Sequence, residues 1–144
     1  MTIERFEHIG IVVEDLPAAI AFFEAMGLTL QGQASVEGAW ADRVVGIDGL
    51  QADIAMLETP GGEARVELSR FRRPASVADV DPAANVRGIR HLAFTVTDVH
   101  AMVERLRVHG AELVGAIEDY QDIYRLCYVR GPEGILVELA QRLR

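Results

Sequence analysis

Cysteine is almost absent from this chain. Cys127 is the single cysteine among 144 residues, so no disulfide can form within the chain. One thiol also excludes zinc ribbons and Cys-X-X-Cys redox motifs, which need pairs of cysteines. Cys127 lies in an apolar stretch typical of a strand, where a free cysteine usually packs as a small hydrophobic side chain. This cysteine usage fits a reducing compartment, and we expect a cytoplasmic protein.

The chain also lacks long apolar runs and an excess of positive charge. It does not open on a basic segment followed by an apolar stretch, which predicts no signal peptide, and no apolar run is long enough to cross a bilayer. The formal net charge is −8, from 14 basic and 22 acidic residues. Nucleic-acid-binding domains carry a basic stripe, so we expect neither a nucleic acid nor a membrane as partner.

What the chain does contain is a duplication. The segment that holds His8 recurs around His91, 83 residues later. Each copy then closes on the tripeptide Val-Glu-Leu, whose glutamates are Glu67 and Glu138. Two copies of one supersecondary unit, each with a histidine and a glutamate, can bring two imidazoles and two carboxylates together. The duplication therefore predicts a metal site that is assembled by pseudo-symmetry.

Each copy follows the pattern of one strand, one helix and three strands. The first copy opens with 6–13, rich in isoleucine and valine, which predicts a strand buried on both faces. Asp15 is placed as a helix N-cap, apolar residues then recur at three- and four-residue steps, and Gly27 ends the helix in a left-handed conformation. Asp98 and Gly110 repeat this arrangement in the second copy.

Strand candidates fill the rest of each copy. They are 29–36, 51–57 and 64–69 in the first copy and 112–117, 125–130 and 135–140 in the second. The first copy has about a dozen more residues between its histidine and its glutamate, and we place them in the loop 37–49. We predict an α+β fold of two paired βαβββ modules, 1–72 and 89–144, joined by a linker at 73–88 that contains Pro82.

Strand geometry places the candidate ligands on one face of each module. Side chains alternate between faces with a period of two, so Glu67 and Glu138 face away from their aliphatic neighbours. If those aliphatic side chains pack under the helices, the glutamates and histidines point to the opposite face. A lone strand histidine is more often a structural group, but its recurrence in two repeats with matched glutamates favours metal binding.

The paired modules and the order His, Glu, His, Glu resemble the vicinal oxygen chelate superfamily. That superfamily includes glyoxalase I, methylmalonyl-CoA epimerase, extradiol dioxygenases and the fosfomycin and bleomycin resistance proteins. The resemblance covers nearly the whole chain, and Gly-Pro-Glu-Gly-Ile-Leu-Val-Glu-Leu is among its more specific pieces. It implies a mostly antiparallel, cup-shaped sheet around one divalent metal ion, a homodimer, and four metal ligands: His8, Glu67, His91 and Glu138.

The implied ligands suggest a reaction class. Two imidazoles and two carboxylates suit divalent zinc, nickel, cobalt, manganese or iron. The likeness to glyoxalase I implies a lyase or isomerase that abstracts a proton next to a carbonyl held by the metal, with Glu138 as the first candidate for the base and Glu67 as the second. The candidates for contact with a small carbonyl substrate are Arg43, Tyr124 and Trp40, from segments expected to rim the site.

Three alternatives stay open at this point. Bleomycin resistance proteins bind a drug without turnover, although they generally lack the metal ligands. Extradiol dioxygenases use two histidines and one carboxylate. Fosfomycin-modifying enzymes need a phosphonate pocket with several cationic groups, and the sequence shows no clear cluster of this kind. The sequence also leaves open the substrate, the metal, and whether the four ligands belong to one chain or to two.

Overall fold

The structure, a computed structural model, describes residues 1–78 and 83–144. The chain divides into two compact units, Met1–Ala78 and Asp79–Arg144. The predicted linker 73–88 spans this division, and its part at 79–82, with Pro82, lies outside the described residues. Each unit contains one mixed β-sheet with helix packed against it, so the predicted α+β class is confirmed.

The first unit has four strands and two helices. They are β1 (Ile9–Val12), α1 (Leu16–Ala25), β2 (Thr29–Glu37), α2 (Ala39–Val45), β3 (Gln51–Glu58) and β4 (Arg65–Arg73). The sheet order is β1-β4-β3-β2, in which β1 is parallel to β4 and the other neighbours are antiparallel. Leu57, Val66 and Leu68 are buried on the face covered by α1, which in turn buries Phe22 and Phe23.

The second unit repeats this plan with an extra short strand. Its elements are β5 (His91–Thr95), α3 (Val99–Arg107), β6 (Glu112–Leu113), β7 (Glu118–Tyr120), β8 (Tyr124–Arg130) and β9 (Leu136–Arg142). The sheet order is β5-β9-β8-β6, β7 also pairs with β8, and β5 is parallel to β9. Val137 and Leu139 are fully buried on the α3 side, where Val99 and Leu106 are buried as well.

The predicted helix ends are confirmed in both units. The side chains of Asp15 and Asp98 each accept a hydrogen bond from the backbone amide three residues on, at 3.0 Å. These bonds satisfy an amide that a helix N-terminus leaves without a partner. Gly27 and Gly110 have φ of 106° and 82°, the left-handed region in which glycine ends a helix at no steric cost.

Three predicted segments differ from the structure. The first strand begins at Ile9, and Val12 is 53% exposed, because α1 covers only one of its faces; the prediction of burial on both faces was wrong. The predicted strand 112–117 is reduced to β6 at Glu112–Leu113, because the chain bends at Gly115. The strand β7 begins beyond the predicted segment, at Glu118, and both strands pair with β8. The predicted loop 37–49 contains the helix α2. None of the described helices is long and apolar enough to cross a membrane.

Candidate functional site

One face of the first sheet carries His8 and Glu67. Glu67 lies between the buried Val66 and Leu68 on β4, so its side chain points away from α1. Met56 on β3 is its cross-strand partner and shares this face, which we call the Glu67 face. His8 Nε2 lies 3.6 Å from Glu67 Oε2, and the side chains are 33% and 26% exposed. The first unit thus brings one imidazole and one carboxylate together at an accessible position.

The second sheet repeats this pair. Glu138 lies between the buried Val137 and Leu139 on β9 and points away from α3. Tyr128 on β8 is its cross-strand partner, and we call the face that they share the Glu138 face. His91 Nε2 lies 3.3 Å from Glu138 Oε2, with side chains 37% and 23% exposed. The same two functional groups are therefore presented through the same ring nitrogen in both units.

These two distances are longer than a strong hydrogen bond and are compatible with two ligands of one cation. A charge-assisted N–H···O bond is about 2.7–2.9 Å long, shorter than either separation. Two ligand atoms that each lie about 2.1 Å from one ion are about 3.0 Å apart at a right angle and about 3.4 Å apart at a tetrahedral angle. The observed 3.6 and 3.3 Å lie closer to this spacing. Each nitrogen–oxygen pair therefore fits a divalent ion of borderline character.

Each unit supplies two of the four candidate ligands. Within residues 1–78 and 83–144, no group of three or more His, Cys, Asp or Glu side chains is placed to hold a metal ion. The structure therefore brings His8 to Glu67 and His91 to Glu138. The four-ligand set stays a prediction.

The second ring nitrogens of the two histidines have different surroundings. His91 Nδ1 lies 3.4 Å from Tyr128 Oη, and the two rings are tilted by 42° with centroids 5.0 Å apart. His8 Nδ1 is buried and has no hydrogen-bond partner among the described residues; Glu7 Oε1 is 4.0 Å away. Glu7 is itself paired with Arg65. Both units thus repeat the imidazole and the carboxylate, but they differ in what lies beside the second ring nitrogen.

Sequence reasoning gave Tyr128 no special place among the three tyrosines. In the structure, β8 and β9 form a hairpin whose register sets Tyr128 opposite Glu138. Counting outward from the Gly-Pro-Glu-Gly turn would instead have set Cys127 opposite Glu138, so the sequence alone misplaces Tyr128 by one residue. Pro132–Gly134 form a short 3-10 helix, and β9 begins only at Leu136, opposite Arg130, which sets the register.

Cys127 is adjacent to Tyr128 but belongs to the opposite face. Its side chain is buried, and this burial raises the pKa of the Cys127 thiol; the negative charge of Glu138 contributes to the same shift. Because its side chain lies on the buried face of β8, Cys127 is not a member of the candidate set, which consists of nitrogen and oxygen atoms.

Two candidate substrate residues lie on α2, at one end of the Glu67 face. Ala41 is buried against Ala52, whose cross-strand partner Phe71 lies four residues beyond Glu67 on β4. That separation corresponds to about 13 Å along the strand. Trp40 is 58% exposed and Arg43 is also exposed, so both side chains are accessible from solvent. Helix α2 places them on the same side of the sheet as the His8–Glu67 pair.

The third candidate substrate residue lies in the second unit. Tyr124 is the first residue of β8 and has the same strand parity as Tyr128, so it belongs to the Glu138 face. It is 37% exposed and is paired across the hairpin with Tyr120, which is 56% exposed. The Glu138 face therefore offers aromatic rings, whereas Met56 stands beside Glu67 in the first unit.

The chain matches the model of a known protein family over most of its length. A family model for the Glyoxalase/Bleomycin resistance protein/Dioxygenase superfamily matches residues 7–128. A crystal structure of a glyoxalase family protein from Bacillus cereus has a TM-score of 0.96 and 50% identity, and the match covers 100% of this chain and 97% of that chain. The uncharacterized protein YaeR of Escherichia coli is 27% identical, over 97% of this chain and 98% of its own length.

A more distant structure shares the fold. The fosfomycin resistance protein FosX from Listeria monocytogenes, crystallised with Mn(II) and a sulfate ion, has a TM-score of 0.62 and 17% identity. The match covers 98% of this chain and 92% of that chain. At this level of identity the likeness concerns the fold.

Proposed function

Because the chain belongs to the glyoxalase/bleomycin resistance protein/dioxygenase superfamily, we propose that it is a metal-dependent lyase or isomerase that removes a proton next to the carbonyl group of a small molecule. The observation that carries this proposal is the repetition of one His–Glu pair in both units, with separations of 3.6 and 3.3 Å. Bleomycin resistance proteins, the binding alternative, generally lack the metal ligands, so two retained pairs support an enzyme. FosX, which shares the fold, was crystallised with Mn(II).

The proposed metal site takes all four side chains. His8, Glu67, His91 and Glu138 would hold one divalent zinc, nickel, cobalt, manganese or iron ion. When bound, such an ion polarises a carbonyl group and so makes the neighbouring C–H more acidic. The ligands would come from one chain or from two chains of the homodimer that the resemblance to the superfamily implies, and the same four residues serve in either case.

Glu138 is the proposed base and Glu67 the second candidate. A carboxylate beside the reacting carbon can take its proton and return it to a neighbouring atom. Glu67 Oε1 accepts a hydrogen bond of 3.5 Å from the Ser69 hydroxyl, which restrains this carboxylate. Glu138 has the aromatic ring of Tyr128 as its cross-strand neighbour. The contact of Ser69 with Glu67 supports Glu138 as the first candidate for the base.

The remaining candidate residues would orient the substrate. Arg43 suits a carboxylate or phosphate group, because a guanidinium group can bind either in a bidentate manner. Trp40 and Tyr124 offer aromatic surface for an apolar part of the molecule. All three residues are exposed and do not pack in the core of their unit, which supports this role.

Exchange of a substrate proton for solvent deuterium tests the proposal directly. A panel of α-hydroxycarbonyl compounds and thiol adducts of α-ketoaldehydes is incubated in D₂O with metal-loaded protein, and loss of the α-proton is followed by NMR. We expect exchange with at least one compound, abolished by chelation. Glu138→Gln should slow exchange by about 10²- to 10⁴-fold, the usual contribution of a general base, while ligand binding is mostly retained.

Glu67→Gln is the matched control, because it makes the same change in the equivalent residue of the other unit. Metal content is measured in both variants, so that loss of the ion is separated from loss of the base. Exchange that is unchanged in Glu138→Gln would remove Glu138 from the role of base. Binding of panel compounds without exchange, and equally tight after chelation, would instead indicate a binding protein.

A further inference from the structure

Tyr128 forms a third member of the pair in the second unit. Its hydroxyl oxygen lies 3.4 Å from His91 Nδ1, and the other ring nitrogen of His91 lies 3.3 Å from Glu138 Oε2. The imidazole is therefore placed between a phenol and a carboxylate, with one partner at each nitrogen. The backbone supports this order, because Tyr128 and Glu138 are directly opposite each other on β8 and β9.

The first unit has no counterpart of this phenol. Met56 occupies the position opposite Glu67, where the second unit has Tyr128 opposite Glu138. His8 Nδ1 is buried without a hydrogen-bond partner in the described part of the chain. A thioether is a weak acceptor and cannot donate a hydrogen bond. The duplication thus conserves the ligand pair but gives only one of the two imidazoles a polar partner at Nδ1.

The tautomer of a neutral imidazole decides whether it can bind a metal through Nε2. Next to an ionised carboxylate, Nε2 carries the proton and Nδ1 is an acceptor. Coordination through Nε2 requires the other tautomer, with the proton on Nδ1, and ligating histidines almost always donate that proton to a partner. A phenol hydroxyl can donate to Nδ1 in the first state and accept from it in the second.

We propose that Tyr128 is a positioning residue that keeps His91 Nε2 directed at the metal by reversing its hydrogen bond when the ion binds. In the metal-free protein the phenol donates to Nδ1 while Nε2–H faces Glu138. In the metal-bound protein the Nε2 proton would have passed to solvent and Nδ1 would have taken one from solvent, so that Nδ1–H donates to the phenol oxygen while the phenol keeps its own proton. This inference rests on the proposed metal site, but what it says of the metal-free protein concerns Tyr128 and His91 alone.

The tautomer of His91 is the first quantity to measure, because a purely structural role of Tyr128 would leave it unchanged. Protein labelled with ¹⁵N-histidine is studied by long-range ¹H–¹⁵N NMR under alkaline conditions in which imidazole is neutral. The His91 signals are assigned from their loss in His91→Ala. We expect the Nε2–H tautomer in metal-free protein and the Nδ1–H tautomer after addition of Zn²⁺. In metal-free Tyr128→Phe, the ¹⁵N shift of Nδ1 should move towards that of a nitrogen without a hydrogen bond.

Zinc affinity, measured by competition with a chromophoric chelator, gives the second readout. Tyr128→Phe should lower the affinity about 10- to 100-fold, the range usual for a lost partner of a ligating histidine. Tyr128→Met, which copies the residue of the first unit, should lower the zinc affinity to a similar extent. Tyr120→Phe, which removes an exposed hydroxyl from the neighbouring strand β7, should leave the zinc affinity unchanged.

The two proposals fail in different ways. An unchanged Nδ1 shift in metal-free Tyr128→Phe, or unchanged zinc affinity in both Tyr128 variants, would overturn the positioning role. Failure of the wild-type protein to bind zinc or any other divalent ion would overturn the metal site, and with it the metal-bound half of the inference. The metal-free spectra would still decide whether Tyr128 holds His91.

Discussion

Residues at equivalent positions of the two units share some functions and differ in others. Asp15 and Asp98 both cap a helix, and the two glutamates opposite Met56 and Tyr128 both face away from the helices. These similarities could be predicted, because capping and strand alternation depend on a few neighbouring residues. The contact of Tyr128 with His91 could not, since it depends on the register between strands that the sequence leaves unspecified.

The buried thiol of Cys127 predicts a pH effect on stability. Burial raises the pKa of the thiol above its ordinary value of 9.0, so the native protein keeps a proton that the unfolded chain loses in alkali. This group therefore stabilises the native state at neutral pH, and that contribution falls as the pH rises above about 9. The free energy of unfolding in urea should decline less steeply with alkaline pH in Cys127→Ala than in the wild type.

The comparison uses the slope with pH, because Cys127→Ala also removes a buried side chain and lowers stability at every pH. Parallel curves for the two proteins above pH 9 would show that the thiol has the same pKa in both states, contrary to this account.

At the scale of elements, the predictable parts are those with local signals. The N-caps, the left-handed glycines and the turn at 59–62 all depend on residues close in sequence. Helix α2 was missed because its seven residues are too few to show a helical period, although Gly38 and Gly46 bound it. Ala41 of this helix packs in one cluster with Leu50 and Ala52, contacts that a helical period in the sequence does not reveal.

The helix caps allow a matched test of the duplication. Asp98→Ala and Asp15→Ala each remove a side-chain acceptor at 3.0 Å from a backbone amide. Each should lower the free energy of unfolding by about 1 kcal/mol, as loss of an N-cap commonly does. Asp48→Ala, in an exposed loop, should change it by less than about 0.5 kcal/mol. Chemical denaturation measures all three, and losses equal to that of Asp48→Ala would show that the caps contribute nothing.

At the scale of the whole molecule, the duplication explains why weak motifs carry a strong prediction. A histidine near a strand, or a glutamate between aliphatic residues, is common in any globular protein. The same pair at 3.6 Å in one unit and 3.3 Å in the other is much harder to obtain by chance. Membership of the superfamily and the paired sheets follow from the sequence pattern. The substrate does not, because it depends on loops and on residues such as Trp40 rather than on the repeated frame.

Metal stoichiometry decides whether the two His–Glu pairs hold one shared ion. Elemental analysis and calorimetric titration with divalent ions are applied to metal-stripped wild type, His8→Ala and His91→Ala. The account predicts about one tight site per chain in the wild type and loss of that site in each single variant, because both pairs hold the same ion. Two sites in the wild type, with one kept in each variant, would mean that each pair binds its own ion. Full binding in both variants, or none in the wild type, would contradict the metal site altogether.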